Sequence, residues 1–255
     1  MPDAPLARIQ RAFSETVDPD AYVPRPATES ILEALEAWRD ASRDAAALTV
    51  LIAPPGLGKT LLLRVFEARL VGADDEVRGL YLPYAGMAIE DLSAWVYGLL
   101  GRQYLAPGAE IDAPAAIDLL SKLGEAPADP FYLLIDDAES MPLSTARVLA
   151  ASLPARGSSL RILLAMNDDA RAARLLAVLG DQGPQEIRFS VPMNEEETRD
   201  YLRARMSWAG VEVGLCDRLI RTSGSRIFAL SGGVPRRVHR LAERLLQLEV
   251  EGREA

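Results

Sequence analysis

Between Leu48 and Phe66 the chain reads LTVLIAPPGLGKTLLLRVF. Two apolar segments flank a bare loop that holds Gly56 and Gly58 and runs directly into Lys59 and Thr60. Glycines at such positions let backbone N–H groups turn inward on an anion, and a helix that follows presents its positive end to the same charge. A lysine there places a compact ammonium between phosphates, where a planar guanidinium substitutes poorly. Lys59 is one of two lysines in a chain otherwise supplied with arginine. The Thr60 hydroxyl suits a Mg²⁺ ion held together with the phosphates. The spacing matches Gly-x4-Gly-Lys-Ser/Thr except at its first position, which is Ala53. The chemistry implied is the capture of nucleotide phosphates.

Three further stretches carry groups that such a loop would need. FYLLIDDAES is an apolar strand that ends in Asp136, Asp137 and Glu139. Ligands of parallel sheets sit beyond the carboxyl ends of the strands. Asp136 is suited to hold Mg²⁺ through water. Asp137 is the positional candidate for activating a water molecule, with Glu139 as the alternative. LRILLAMNDD ends in Asn167, whose amide could hold that water or a γ-phosphate; Asn167 or Asp168 could equally cap the next helix. SGGVPRRVHRL opens the last long helix, with Pro235 at the first helical position. Arg236 and Arg237 then fall in the first turn, the unfavourable end of the dipole for cations. A nearby phosphate would offset this; a solvated basic turn is the alternative. His239, the single histidine, has no ligand spacing around it and reads as structural, and the single cysteine, Cys216, reads as packing.

The elements that must position these groups alternate. Helical spacing covers Ala27–Trp38, Lys59–Leu70, Ile89–Leu100 and Pro114–Leu123; strands are expected at Leu48–Ile52, Gly79–Ala85, Phe131–Ile135, Leu160–Met166 and Glu186–Val191. Continuous apolar strands alternating with helices predict an α/β fold: a P-loop parallel sheet flanked by helices. The first thirty residues show little periodicity and read as an arm. After Pro192 the strands stop. Asn194 with Glu195, Glu196 and Glu197 marks a helix start, and two or three helices follow. The expected domains are 1–193, arm plus α/β domain, and 194–255, a small all-helical lid.

With 255 residues and a net charge of −9 the chain suits one large domain plus a small one. The acidic balance weighs against nucleic acid as a partner without excluding a local basic patch. No apolar run reaches membrane-spanning length, and the N-terminus lacks the apolar core of a signal peptide. The expectation is a cytoplasmic protein without membrane insertion.

These pieces together resemble an AAA+ ATPase. The glycine loop is similar to its Walker A motif, LLIDDAE to Walker B, Asn167 to sensor 1, and GGVPRR to sensor 2 with Arg236 leading. The resemblance implies nucleotide contacts from Pro55, Gly56, Leu57, Gly58, Lys59, Thr60, Leu61 and Arg236. It also implies adenine packing by Tyr22, Val23 and Pro24 of YVPR. Within the superfamily, VPMNEEETRDYLRARM and LSGGVPRRVHRLAERLL look most like the ExeA/GspA group, related to the transposition regulators MuB, TniB and TnsC. The implied activity is binding of Mg-ATP, and its hydrolysis, to switch assembly state as a homo-oligomer and act on a protein or DNA partner. The implied catalytic groups are Asp137 or Glu139, Asn167 and Arg236. Two departures point to slow hydrolysis, or to a nucleotide-gated binding module. The usual Asp-Glu of Walker B is Asp136–Asp137, and the arginine-finger candidates are only Arg188, inside the expected strand Glu186–Val191, and the weaker Arg171 and Arg174.

Overall fold

The computed structural model describes residues 4–41, 46–73, 78–99, 131–153, 160–250 and 252; the helix expected over Pro114–Leu123 lies outside them. The chain divides into two compact units: Ser30–Pro54 with Leu62–Phe189, and Met1–Glu29 with Pro55–Leu61 and Ser190–Ala255.

The first of these units is built on a sheet of β1 (Leu48–Ala53), β2 (Arg78–Leu82), β3 (Phe131–Ile135), β4 (Leu160–Asn167) and β5 (Gln185–Arg188). All pairings are parallel and the strand order is β2-β3-β4-β1-β5. Every residue of β1 and β3 is buried, which is why both strands read as continuous apolar runs without alternation. On one face Val50, Ile52, Leu133, Ile135, Ile162 and Leu164 form one core with α4 (Ile89–Leu99), α5 (Leu143–Ser152) and α6 (Ala170–Leu179). On the other face Trp38 of α2 (Pro26–Asp40) lies 6.4 Å from the ring of Phe66 in α3 (Lys59–Ala73) and meets Tyr132 of β3 edge-on at 5.7 Å. The fold is therefore a parallel α/β sheet flanked by helices.

Parallel pairing brings the carboxyl ends of the strands to one edge. Ala53 at the end of β1 is in register with Asn167 at the end of β4, and Ile135 with Leu164. β2 stops at Leu82 because Pro83 has no N–H to donate, so the strand is shorter than the expected Gly79–Ala85. β5 ends at Arg188, short of the expected Val191: it is an edge strand with one buried residue, Ile187, and only the Phe189 N–H prolongs its pairing, to Ile52 O at 2.9 Å.

The buried guanidinium of Arg161 in β4 ties the sheet to α2. It donates to the carbonyls of Trp38 and Ala41, the latter at 2.7 Å, and lies 5.8 Å from the Trp38 ring centroid. The carbonyls at a helix C-terminus lack intrahelical partners, and a cation there also complements the dipole.

The other unit is helical: α1 (Ala4–Phe13), α7 (Glu195–Trp208), α8 (Val213–Ser231) and α9 (Pro235–Val250). Asn194 caps α7 in a full capping box with Glu197, as its sequence position predicts. Cys216 is buried in the core. The N-terminal arm is not without periodicity. Ile9, Ala12 and Phe13 are buried against Leu202, Met206, Val238 and Leu246. Ten residues are too few to hold a helix in isolation, so α1, though its apolar residues recur at helical spacing, depends on this packing. Arg205, 1% exposed, secures it by donating to Ala12 O at 2.7 Å and Ala21 O at 2.8 Å.

His239 is structural. Its Nε2 lies 2.7 Å from the Tyr201 hydroxyl and its ring meets Phe13 edge-on at 5.8 Å.

Arg161→Leu leaves the α2 carbonyls without their donor and is expected to cost about 3 kcal/mol in urea unfolding; an unchanged midpoint would contradict the tie. Burial first, and the Arg205 charge second, push His239 down to about 4 from the usual 6.5. The folded state therefore favours the neutral ring. The contribution of His239 to stability is expected to be complete above about pH 6.5 and to decline as pH falls towards 4. His239→Gln should flatten the urea midpoint across that window; an equally steep decline in the variant would show another group at work.

Candidate functional site

The glycine loop belongs to the helical unit. Gly56 and Gly58 have φ of +85° and +99°, a region closed to most side chains, so both glycines are required by the backbone. Leu57 between them is buried, Pro55 is exposed, and Lys59, Thr60 and Leu61 are half-buried in the first turn of α3. The loop is met by the start of α9. The Arg236 N–H donates to Gly56 O at 3.2 Å. A Cβ on Gly56 would lie 3.0 Å from Arg236 Cβ and 3.3 Å from Val234 Cγ1. Gly56 thus serves two constraints, its own left-handed backbone and the close approach of α9. Sequence reading found Arg236 but not Val234, which carries no chemical signal of its own.

Arg236 is exposed and forms a loose ion pair with Glu15 at 3.9 Å. Gly233 is also tightly placed: its carbonyl accepts from Met193 N–H at 3.0 Å, and a Cβ would fall 1.8 Å from Met193 O. The GGVPR turn therefore touches both the glycine loop and the segment leading into α7. Tyr22 bonds through its hydroxyl to Thr28 Oγ1 at 2.7 Å and Glu29 Oε1 at 2.8 Å, Val23 packs on the helical core, and Pro24 is exposed.

The acids and the asparagine belong to the sheet unit. Asp136, 7% exposed, follows β3. Its Oδ1 accepts from Asp137 N–H at 2.9 Å and its Oδ2 from the Tyr81 hydroxyl at 3.1 Å. Asp137 sits at φ 53°, the one non-glycine residue with positive φ among the described residues, and is exposed. A short polar residue tolerates this conformation better than most, which gives a physical reason for aspartate here. Glu139 is different: it is 9% exposed, and its Oε1 accepts a hydrogen bond from the Asn167 amide. The amide therefore meets Glu139, and Asp137 faces solvent.

Neither Asn167 nor Asp168 caps the following helix. The N-cap of α6 is Asp169, which accepts from the N–H groups of Arg171 and Ala172. Those two bonds, the one to Ala172 first, hold its carboxyl below the usual range. Asn167, the last residue of β4, keeps its side chain for Glu139. Arg188 is exposed at the end of β5, paired with Glu186 at 2.9 Å and Asp168 at 3.7 Å. Arg171 and Arg174 lie on the exposed side of α6.

Among the described residues no three His, Cys, Asp or Glu side chains gather as a metal cluster. The donors singled out for Mg²⁺, the Thr60 hydroxyl and the Asp136 carboxylate, are hard oxygens. Mg²⁺ is ordinarily held by few such protein groups plus phosphates and water, so the donor chemistry fits.

A five-stranded parallel sheet with a glycine loop between its first strand and the next helix defines a P-loop α/β protein. The family described as AAA domain matches residues 42–175, more than half of the chain, and the chain belongs to it. No curated protein sequence matches. Among solved structures, Cdc6p from Pyrobaculum aerophilum is similar with 21% identity and a TM-score of 0.67, over 95% of this chain and 66% of that one. The ORC2 protein of Aeropyrum pernix, solved as ADPNP-ADP complexes, is similar with 18% identity and a TM-score of 0.64, over 96% and 68%. Domain III of the Thermotoga maritima replication initiation protein DnaA shares 16% identity with a TM-score of 0.54, over 100% and 92%. The chain thus spans just under two thirds of the Cdc6p chain. At these identities the likeness is one of fold.

Gly56→Ala should push α9 off the loop, and hydrogen exchange at the Arg236 amide should quicken. A Cβ on Gly58 meets nothing within 4 Å. Gly58→Ala should therefore strain the loop and leave that amide slow. Equal exchange in both variants would contradict the role given to Gly56.

Proposed function

We propose that the protein is an ATPase that binds Mg-ATP through this loop and hydrolyses it to switch assembly state. The observation that carries the reading is the bond from the first turn of α9 to Gly56, which sets Arg236, at the positive end of a helix, against a phosphate-type loop. In this reading Lys59 engages the β- and γ-phosphates and Thr60 and Asp136 hold the metal. When bound, Mg²⁺ neutralises developing charge on the phosphates. Arg236 contacts the γ-phosphate, and Pro55, Gly56, Leu57, Gly58 and Leu61 line the nucleotide through backbone and packing. Tyr22, Val23 and Pro24 pack on adenine. Glu139, oriented by Asn167, prepares the attacking water by accepting its proton; Asp137 does not serve as the base.

The remainder of the reading rests on resemblance. It comprises an N-terminal arm plus α/β domain over 1–193 and a helical lid over 194–255, homo-oligomerisation, a cytoplasmic location and membership of the ExeA/GspA group. The partner is a protein or DNA. The nucleic-acid alternative is supported by the titles of similar folds, such as the Drosophila ORC bound to DNA, and opposed by the net charge of −9. A nucleotide-gated module with little turnover is favoured by one observation: Arg188, the finger candidate, is already paired with Glu186 and Asp168.

Steady-state turnover tests the assignment. Glu139→Gln should retain ATP and lose turnover by roughly 10²-fold or more, the usual worth of a general base, whereas Asp137→Asn should stay within a few-fold of wild type. The reverse pattern would return the role to Asp137. Tight binding with negligible wild-type turnover would establish the gated module instead.

A further inference from the structure

We propose that Tyr81 is a positioning residue that fixes the Asp136 carboxylate for its metal; this rests on the reading of Asp136 as the Mg²⁺ ligand. Tyr81 lies on β2 directly opposite Leu134 of β3. Asp136 is two residues beyond Leu134, just past the end of the neighbouring strand, on the same face of the sheet and at the diagonal spacing an aromatic side chain can span. The Asp136 N–H donates to Leu82 O at 2.8 Å, so the β2–β3 ladder continues as far as the aspartate backbone. The Tyr81 hydroxyl then closes on Oδ2 at 3.1 Å while the Asp137 N–H holds Oδ1 at 2.9 Å.

Each carboxylate oxygen therefore has one fixed donor. The plane of the group is set and its outward lone pairs remain for a metal or the metal's waters. Groups of this kind behind a metal ligand orient it and tune its affinity. Asp136 is nearly buried, so removing the hydroxyl would free the carboxylate to turn and would leave Oδ2 poorly solvated.

The phenol itself is clamped. The Arg64 guanidinium of α3 lies 4.8 Å from the Tyr81 ring centroid and is paired with Glu67. A cation over the ring face holds the ring in place and draws electron density from it, which strengthens the hydroxyl as a donor. The row Glu67, Arg64, Tyr81, Asp136 thus links α3, the helix that carries the phosphate loop's lysine and threonine at its start, to the metal-binding aspartate.

Tyr81→Phe removes only the hydroxyl. Binding of a fluorescent methylanthraniloyl-ATP is titrated with Mg²⁺. The half-saturating Mg²⁺ concentration should rise about tenfold in the variant, with nucleotide binding in EDTA unchanged. Arg64→Met should shift it in the same direction by less. A purely structural role would lower the melting temperature without moving the Mg²⁺ dependence. In a second measurement, free of metal and nucleotide, the melting shifts of Tyr81→Phe, Asp136→Asn and the double variant should be non-additive. Additive shifts would overturn the contact, and an unchanged Mg²⁺ dependence would overturn the positioning role. Failure of wild type to bind nucleotide would overturn the reading of the site, and the proposal with it, whatever the melting shifts show.

Discussion

The structure depends on one constraint: β1 is buried along its whole length between β4 and β5. A strand buried on both faces is largely apolar, with Thr49 the single polar side chain of β1, and in this protein both its partners run parallel to it. Parallel pairing then decides where chemistry can occur. The chain leaves β1, β3 and β4 at the same edge, into the glycine loop, the acidic turn and Asn167 respectively. Polar groups placed after an apolar run cost little there, because the ladder ends and water or ligand takes over.

Two local devices make that edge usable. The glycine loop holds φ values near +90° and still lets the start of α9 approach to hydrogen-bonding distance, which only a residue without Cβ permits. The acidic turn uses a left-handed aspartate to reverse the chain after β3, so that Glu139, two residues on, is the carboxylate turned inward to Asn167. At the departure from the usual Asp-Glu pair, Asp137 takes the left-handed turn position and Glu139 is the carboxylate that meets Asn167. Buried arginines support the frame in the same way in both units, with Arg161 satisfying carbonyls at the end of α2 and Arg205 those at the end of α1 and beyond.

Much of this was legible in the sequence, for local reasons. β1, β3 and β4 announce themselves as largely apolar runs, and the capping box of α7, Pro235 at the start of α9 and the loop glycines are short-range signals. What escaped was non-local. The pairing of Asn167 with Glu139 joins residues at the ends of two strands, and no spacing along the chain encodes it. The bond from Tyr81 to Asp136 depends on the β2–β3 register, which is fixed only once the sheet forms. α1 carries helical spacing in Ile9, Ala12 and Phe13, but ten residues hold that helix only when packed on α7 and α9. The cap of α6 was misplaced by one or two residues because Asn167, Asp168 and Asp169 are all competent caps, and only the extra length of β4, which runs to Asn167, leaves Asp169 as the one at the helix start.

The central claim is that the loop after β1 holds nucleotide phosphates through Lys59. Calorimetric titration of Mg-ATP into wild type and Lys59→Ala tests it most directly. The account predicts one saturable site per chain in wild type and no measurable heat of binding in the variant, with the variant's far-ultraviolet spectrum and melting curve unchanged. Equal affinity in the two proteins would contradict it.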